Sequence, residues 1–314
     1  MVGGEQDSSS MRLQAYPAHR ALLEAGIESH LTYVGDPSIW PKLPRAINPA
    51  KELKGAQVVI IAKSFGQVAK EYSEAALAEG ATLITQLRTD EVSVEEANYQ
   101  PLDKSDWVVS PFMTDRLQSQ LAVLNPNPAH KPLVIPDPLE TWLPPLEQCE
   151  DQPEGKNIVL WIGRKRHWPS LLALGDFLPD NWQLVTISDN HLGDHLWDPD
   201  LAAKLLASCQ ALMITRDFKQ DDTQGHSSSI RMINGLACGK PVLAPPTDAY
   251  LDASPEMKGW IACQNGDHYR QALTDLSDPL LRATCSQEGL EVFGLFNPGD
   301  PAAMWRQLIK ETLI

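Results

Sequence analysis

Short apolar runs, rich in β-branched residues, alternate along this chain with segments of helical periodicity. QVVIIA (57–62) reads as a buried strand, and GQVAKEYSEAALAEG (66–80) as an amphipathic helix closing on Gly80. ATLITQL (81–87), SDWVVSP (105–111) and PLVIPDP (132–138) continue the series. The strands are almost continuously apolar, which marks a parallel sheet covered on both faces. A stretch crowded with proline and acid follows, PDPLETWLPPLEQCEDQPEGK (136–156). The pattern then restarts with NIVLWIG (157–163), WQLVTIS (182–188), QALMIT (210–215) and KPVLAPP (240–246).

The 314 residues are more than one hydrophobic core ordinarily organises. The expected fold is α/β, with two Rossmann-like domains facing a cleft. The first spans 1–140, a linker 141–156, and the second 157–300. A terminal amphipathic helix, 301–314, returns to the first domain with Met304, Trp305, Leu308 and Ile309 on one side. The amino end departs from this scheme, because GGEQDSSS follows only Met1 and Val2 where a strand should stand. The first domain is therefore expected to lack its opening strand. Absence of the strand, a true start upstream of Met1 and a degenerate domain would each produce this pattern.

The formal charge of −15 disfavours phosphate backbones and anionic lipid as main partners, so no nucleic acid is expected. No run of about eighteen apolar residues occurs, so no membrane span is expected. MVGGEQDSSS has neither the basic nor the apolar segment of a secretory signal. Five widely spaced cysteines, an odd number with no C-x-x-C, fit reduced thiols in the cytoplasm better than a disulfide framework or zinc cluster. No metal and no organic cofactor is expected.

Two stretches suit an anion. In GHSSSIRMINGLACGKPVLAP (225–245), small polar residues open an amphipathic helix, and a helix start offers aligned N–H dipoles. Arg231 falls in the first turn, where a cation opposes the macrodipole but suits an anionic ligand; capping alone also explains one serine. In WIGRKRHW (161–168), Arg164, Lys165 and Arg166 follow a strand that ends on Gly163. Ligands of open α/β sheets bind beyond the carboxyl ends of strands, and Arg and Lys suit phosphate there. A solvated basic turn is the competing reading. HLGDHLWD (191–198) offers His191, Asp194 and His195, but Leu192 stands where a zinc-protease helix needs Glu, so a polar surface helix is expected. GGEQDSSS lacks the phosphate-loop ending and the dinucleotide spacing, and no Gly-x-Ser-x-Gly elbow occurs.

With this layout, SSSIRMINGLACGKPVLAPP resembles the donor-site helix of retaining, group-1-like glycosyltransferases of the glycosyltransferase B fold. Members carry Glu-Ala-Leu-Ala-Cys-Gly-x-Pro-Val here, matched from Leu236 to Val242. DSSSMRLQAYPAHRALLEAGIESHLTY, GATLITQLRTDEV, SDWVVSPFMTDRLQ, LVIPDPLE and VLWIGR are similar to further family segments in the same order, covering most of the chain.

The resemblance implies transfer of a hexose from a nucleoside diphosphate sugar to an unknown acceptor, with retention. It implies that Ser227, Ser228 and Ser229 contact the diphosphate, and that Arg164 and Lys165 neutralise it. The family's two glutamates, seven residues apart, are replaced here by His226 and Asn234. Asn234 keeps the capacity to hydrogen-bond a ribose hydroxyl without charge, whereas His226 cannot reproduce a carboxylate. No residue is assigned as catalytic. The alternative is a catalytically silent sugar-nucleotide-binding or assembly subunit of the same fold.

Overall fold

The computed structural model describes residues 2–3, 15–33, 48–62, 66–87, 99–111, 113, 115–125, 132–149, 155–189, 191–216, 229–295 and 300–313. Contacts divide the chain into two compact units. One comprises Met1–Pro138 with Pro298–Ile314, the other Leu139–Gly225 with Ser229–Asn297.

The first unit runs β1 (Val2–Gly3), α1 (Tyr16–Glu24), β2 (Thr32–Tyr33), α2 (Pro49–Glu52), β3 (Val58–Ala62), α3 (Gly66–Ala78), β4 (Thr82–Gln86), β5 (Trp107–Ser110), α4 (Asp115–Leu124) and β6 (Leu133–Val134). Its strands form a parallel sheet in the order β2-β1-β3-β4-β5-β6. In β3 the four residues after Val58 are all buried, as expected of a strand covered on both faces. Gly80 ends the α3 segment with φ 72°, a conformation that favours glycine.

One expectation is corrected here. Val2 and Gly3 pair with Thr32 and Tyr33, and Val2 also pairs with Ile61, so the first domain carries an opening strand. Two residues held between two neighbouring strands need no long apolar run of their own, which is why the sequence pattern hides them.

The second unit contains β7 (Asn157–Gly163), α5 (Trp168–Leu172), β8 (Trp182–Ser188), β9 (His195–Leu196), α6 (Pro199–Ser208), β10 (Ala211–Met213), α7 (Ile230–Ala237), β11 (Val242–Ala244), α8 (Asp248–Ala253), β12 (Trp260–Ala262), α9 (Gly266–Asp275) and α10 (Pro279–Leu295). Its parallel sheet is ordered β12-β11-β10-β7-β8-β9, the doubly wound arrangement of Rossmann folds. The chain ends in α11 (Pro301–Thr312), which belongs to the first unit. There Trp305, Leu308 and Ile309 are buried with Ala18 and Leu22 of α1 and Ile60 of β3.

The segment after α7 shows how local chemistry builds the second unit. Lys240 N donates to Gly235 O at 3.0 Å and Gly239 N to Leu236 O at 2.9 Å, while Gly239 adopts φ 60°. This paired closure satisfies the last carbonyls of the helix. Gly235 lets α7 lie close on the sheet, because a Cβ there would come within 2.6 Å of Val242 Cγ2 and 2.9 Å of Leu212 Cδ2. Lys240 is buried and its Nζ donates to Ala207 O at 2.9 Å, placing a cation on the last turn of α6. At the other end of α6 the Asp198 carboxylate accepts from Leu201 N at 2.8 Å. Asp198→Ala is expected to cost about 1 kcal/mol, read as a lower urea midpoint with an unchanged slope.

Candidate functional site

In the second unit the strand order reverses between β7 and β10. These strands pair directly, with Ala211 opposite Val159, Leu212 opposite Leu160 and Met213 opposite Trp161. Doubly wound sheets bind ligands beyond the carboxyl ends of their strands at such a reversal. Residues 164 and 214–216 leave the two strands there, side by side.

Buried polar contacts hold this edge. The Trp161 indole N–H donates to Thr215 Oγ1 at 2.9 Å, so a side chain of β7 holds the Thr215 side chain just after β10. Ser170 Oγ lies 2.9 Å from Thr215 Oγ1 and donates to His167 O at 2.7 Å, extending the link into the turn that follows Arg164. The Trp161 and Trp168 rings meet edge to face, centroids 5.5 Å apart. Tyr269 donates its hydroxyl to Ile214 O at 2.6 Å, and burial raises its pKa far above the ordinary value. These contacts tie the segments that follow β7 and β10 to the sheet and to α5 and α9.

Gly163 is a positioning residue within this arrangement. A Cβ at this position would overlap the six-membered ring of Trp161. Gly163→Ala must therefore displace a fully buried indole or shift the strand end, at a cost of about 1–3 kcal/mol. A circular-dichroism melt should show a lower midpoint, whereas Gly294→Ala, where a Cβ meets nothing within 4 Å, should not.

The residues singled out in the sequence fall as follows. Arg164 is half-buried, and its carbonyl accepts from His167 N at 2.8 Å in the turn Lys165–His167. The Lys165 side chain is exposed, and its backbone N–H donates to Asp189 Oδ1 at 2.6 Å. The Arg166 side chain lies outside the described residues, as do His226, Ser227 and Ser228. Ser229 precedes α7 with helical angles, φ −68° and ψ −3°, and makes no side-chain capping hydrogen bond. A capping serine takes an extended backbone and binds an N–H of the first turn; Ser229 does neither. Arg231 sits half-buried in the first turn of α7. Asn234 is 7 % exposed, and its Oδ1 is a buried acceptor with no hydrogen-bond partner.

Arg216 escapes the sequence reading. It follows β10 at the reversal, and its buried Nε has no hydrogen-bond partner. Its signal was available: a lone cation directly after QALMIT, at a strand end in an acidic chain.

HLGDHLWD is corrected. It forms turns and then β9, which adds to β8 in parallel. Asp194 drives this geometry. Its Oδ2 accepts from Thr186 N at 2.9 Å and from Thr186 Oγ1 at 2.8 Å, and its own N–H returns to Thr186 Oγ1 at 2.8 Å. That exchange holds the segment along β8, so His191 and His195 do not share a helix face. Among the described residues no group of His, Cys, Asp and Glu has the arrangement of a metal site.

No protein-family model matches the chain, and no curated protein matches its sequence. Solved structures match its fold over nearly the whole length. A glycosyltransferase from Rickettsia africae aligns with a TM-score of 0.69 at 14% identity, covering 99% of this chain and 98% of that one. Anabaena HepE, in complex with UDP and glucose, aligns at 0.64 and 12% identity, covering 99% and 98%. A structure from Listeria monocytogenes assigned as a UDP-N-acetylglucosamine 2-epimerase aligns at 0.62 and 14% identity, covering 99% and 96%. The chain has the glycosyltransferase B fold, with two Rossmann-like units. Among the described residues no helix is long and apolar enough to cross a membrane.

Proposed function

We propose that this chain is a glycosyltransferase that takes a nucleoside diphosphate sugar at the carboxyl edge of its second unit and transfers the hexose to an acceptor with retention. One observation carries the reading. Arg164 and Arg216 follow adjacent strands at the point where the strand order reverses, and Arg216 holds a buried Nε with no partner. A buried guanidinium nitrogen without an acceptor is costly, and a diphosphate oxygen would satisfy it. The start of α7 follows the same strand β10 in sequence, so its N–H dipoles add to the field. On leaving, the nucleoside diphosphate gains negative charge. Fixed donors aimed at that charge lower the barrier without an enzyme nucleophile. Asn234, with its unpartnered Oδ1, is the group offered to a ribose hydroxyl. The hexose and the retention of configuration come from the sequence resemblance. HepE, whose fold this chain shares, was solved with UDP and glucose, which makes UDP-sugars the first donors to try.

The second reading is a sugar-nucleotide binder without turnover. It is favoured by the uncharged Asn234 and by His226 where the family has glutamates. A panel of nucleoside diphosphate sugars screened by thermal shift tests both. A donor present at a hundred times its Kd stabilises the native state by about 2.7 kcal/mol. A shift with at least one donor, followed by release of radiolabelled sugar or its transfer to an acceptor, is the result expected of the enzyme. A shift with no release from any donor supports the silent binder. If no donor shifts the melt, both readings fail.

A further inference from the structure

Three of the five cysteines gather at one place away from the proposed donor edge. Cys149 closes the turn Leu146–Gln148, Cys209 ends α6 and Cys238 ends α7, so each thiol sits at a helix carboxyl end. All three line a single cavity of about 270 Å³, together with Lys240 and Gln210. The turn lies directly on the end of α7, since a Cβ at Gly239 would be 3.5 Å from Leu146 Cδ1. Cys149 packs against the apolar cluster that contains Cys238, and both side chains line the same cavity. Cys149 is half-exposed, whereas Cys209 and Cys238 are buried.

We propose that Cys149 and Cys238 form a dithiol that hydrogen peroxide converts to a disulfide, stapling the Leu146–Gln148 turn to the carboxyl end of α7. Cys149 is the point of entry because it alone of the three reaches solvent. Its sulfur attacks one peroxide oxygen. The S–O bond forms, the O–O bond breaks, and the departing hydroxide leaves as water with the thiol proton. The Cys238 sulfur then attacks the Cys149 sulfenic acid. The S–S bond forms, the S–O bond breaks, and the hydroxide leaves as a second water with the Cys238 proton. Two thiols lose two electrons and one peroxide gains them; a dithiol reductant reverses the step. Burial raises the pKa of Cys149 and of Cys238, while the Lys240 ammonium pulls each the other way. The thiols are therefore mostly protonated at neutral pH and the reaction is slow there, which suits a device that ignores brief oxidation. Cys263 and Cys285 belong to a separate cluster, both pushed up to about 12 by burial, and act as internal controls.

The test treats the full-length protein with peroxide, unfolds it, alkylates the remaining thiols and digests it without reductant. Mass spectrometry should find one cross-linked peptide pair joining Cys149 to Cys238, with loss of two of the five alkylatable thiols, restored by dithiothreitol. Cys149→Ser should leave Cys238 alkylatable. Cys238→Ser should leave a sulfenic acid on Cys149 that dimedone traps. Full alkylation of both cysteines after peroxide, a bond that engages Cys209 instead, or cross-links only between molecules would overturn the proposal.

Discussion

Trp161→Ala is expected to lower the stability of the second unit by about 3–5 kcal/mol, several times the loss expected from removing the Asp198 cap. Trp161 is 1 % exposed, lies in the core between β7 and α5, and donates the hydrogen bond that holds Thr215. Truncation leaves a cavity the size of an indole and removes the tie between the ends of β7 and β10. Trp161→Phe keeps most of the apolar volume and loses the donor, so it should cost less. Urea unfolding followed by circular dichroism measures both. An Ala variant with the parent's midpoint would show that the edge is held by something other than this ring. Because Arg164 and Arg216 ride on the two strand ends, the Ala variant should also bind any nucleotide more weakly even where it remains folded.

Arg164→Ala and Arg216→Ala are each expected to weaken binding of a nucleoside diphosphate by roughly tenfold to a hundredfold. A charge-assisted hydrogen bond in a water-poor site contributes about 1.5–3 kcal/mol. If both guanidinium groups hold the same diphosphate, the double variant should lose less than the sum of the two, because neighbouring sites couple. Ser229→Ala should matter far less, as the backbone N–H groups at the helix start are the donors. Asn234→Ala should weaken nucleotide more than inorganic pyrophosphate, because its partner is the ribose. Isothermal calorimetry reads all five variants. Equal loss of nucleotide and pyrophosphate in Asn234→Ala would rule out the ribose contact.

The sequence disclosed those parts of the fold that carry long apolar runs. β3 and β4 bury four of their five residues and β7 and β8 most of their seven, so runs of β-branched and apolar residues announce them. β1 and β9 have two residues each and β12 has three. Such strands are made by their neighbours' hydrogen bonds, and periodicity cannot reveal them. HLGDHLWD misled because its polar spacing suits a helix, while the decisive contact, Asp194 with Thr186, joins the segment to another strand. At the proposed site, the position of Arg164 was legible because a strand visibly ends at Gly163. Arg216 was passed over, because a single cation after a short strand is a faint signal until the strand order shows that β10 lies beside β7. The serine run was open between cap and ligand contact; the backbone angles of Ser229 show that it is not in cap geometry, while Ser227 and Ser228 lie outside the described residues.

The central claim is that a nucleoside diphosphate sugar binds where β7 and β10 end. Hydrogen exchange of the intact chain, measured by mass spectrometry with and without a donor that shifts its melt, tests this most directly. Ligand contact and the ordering it brings should slow exchange in peptides covering 161–168, 213–216 and 229–234, with little change in α9 and α10 of the same unit. Protection elsewhere in the chain with none in those three peptides would contradict the claim.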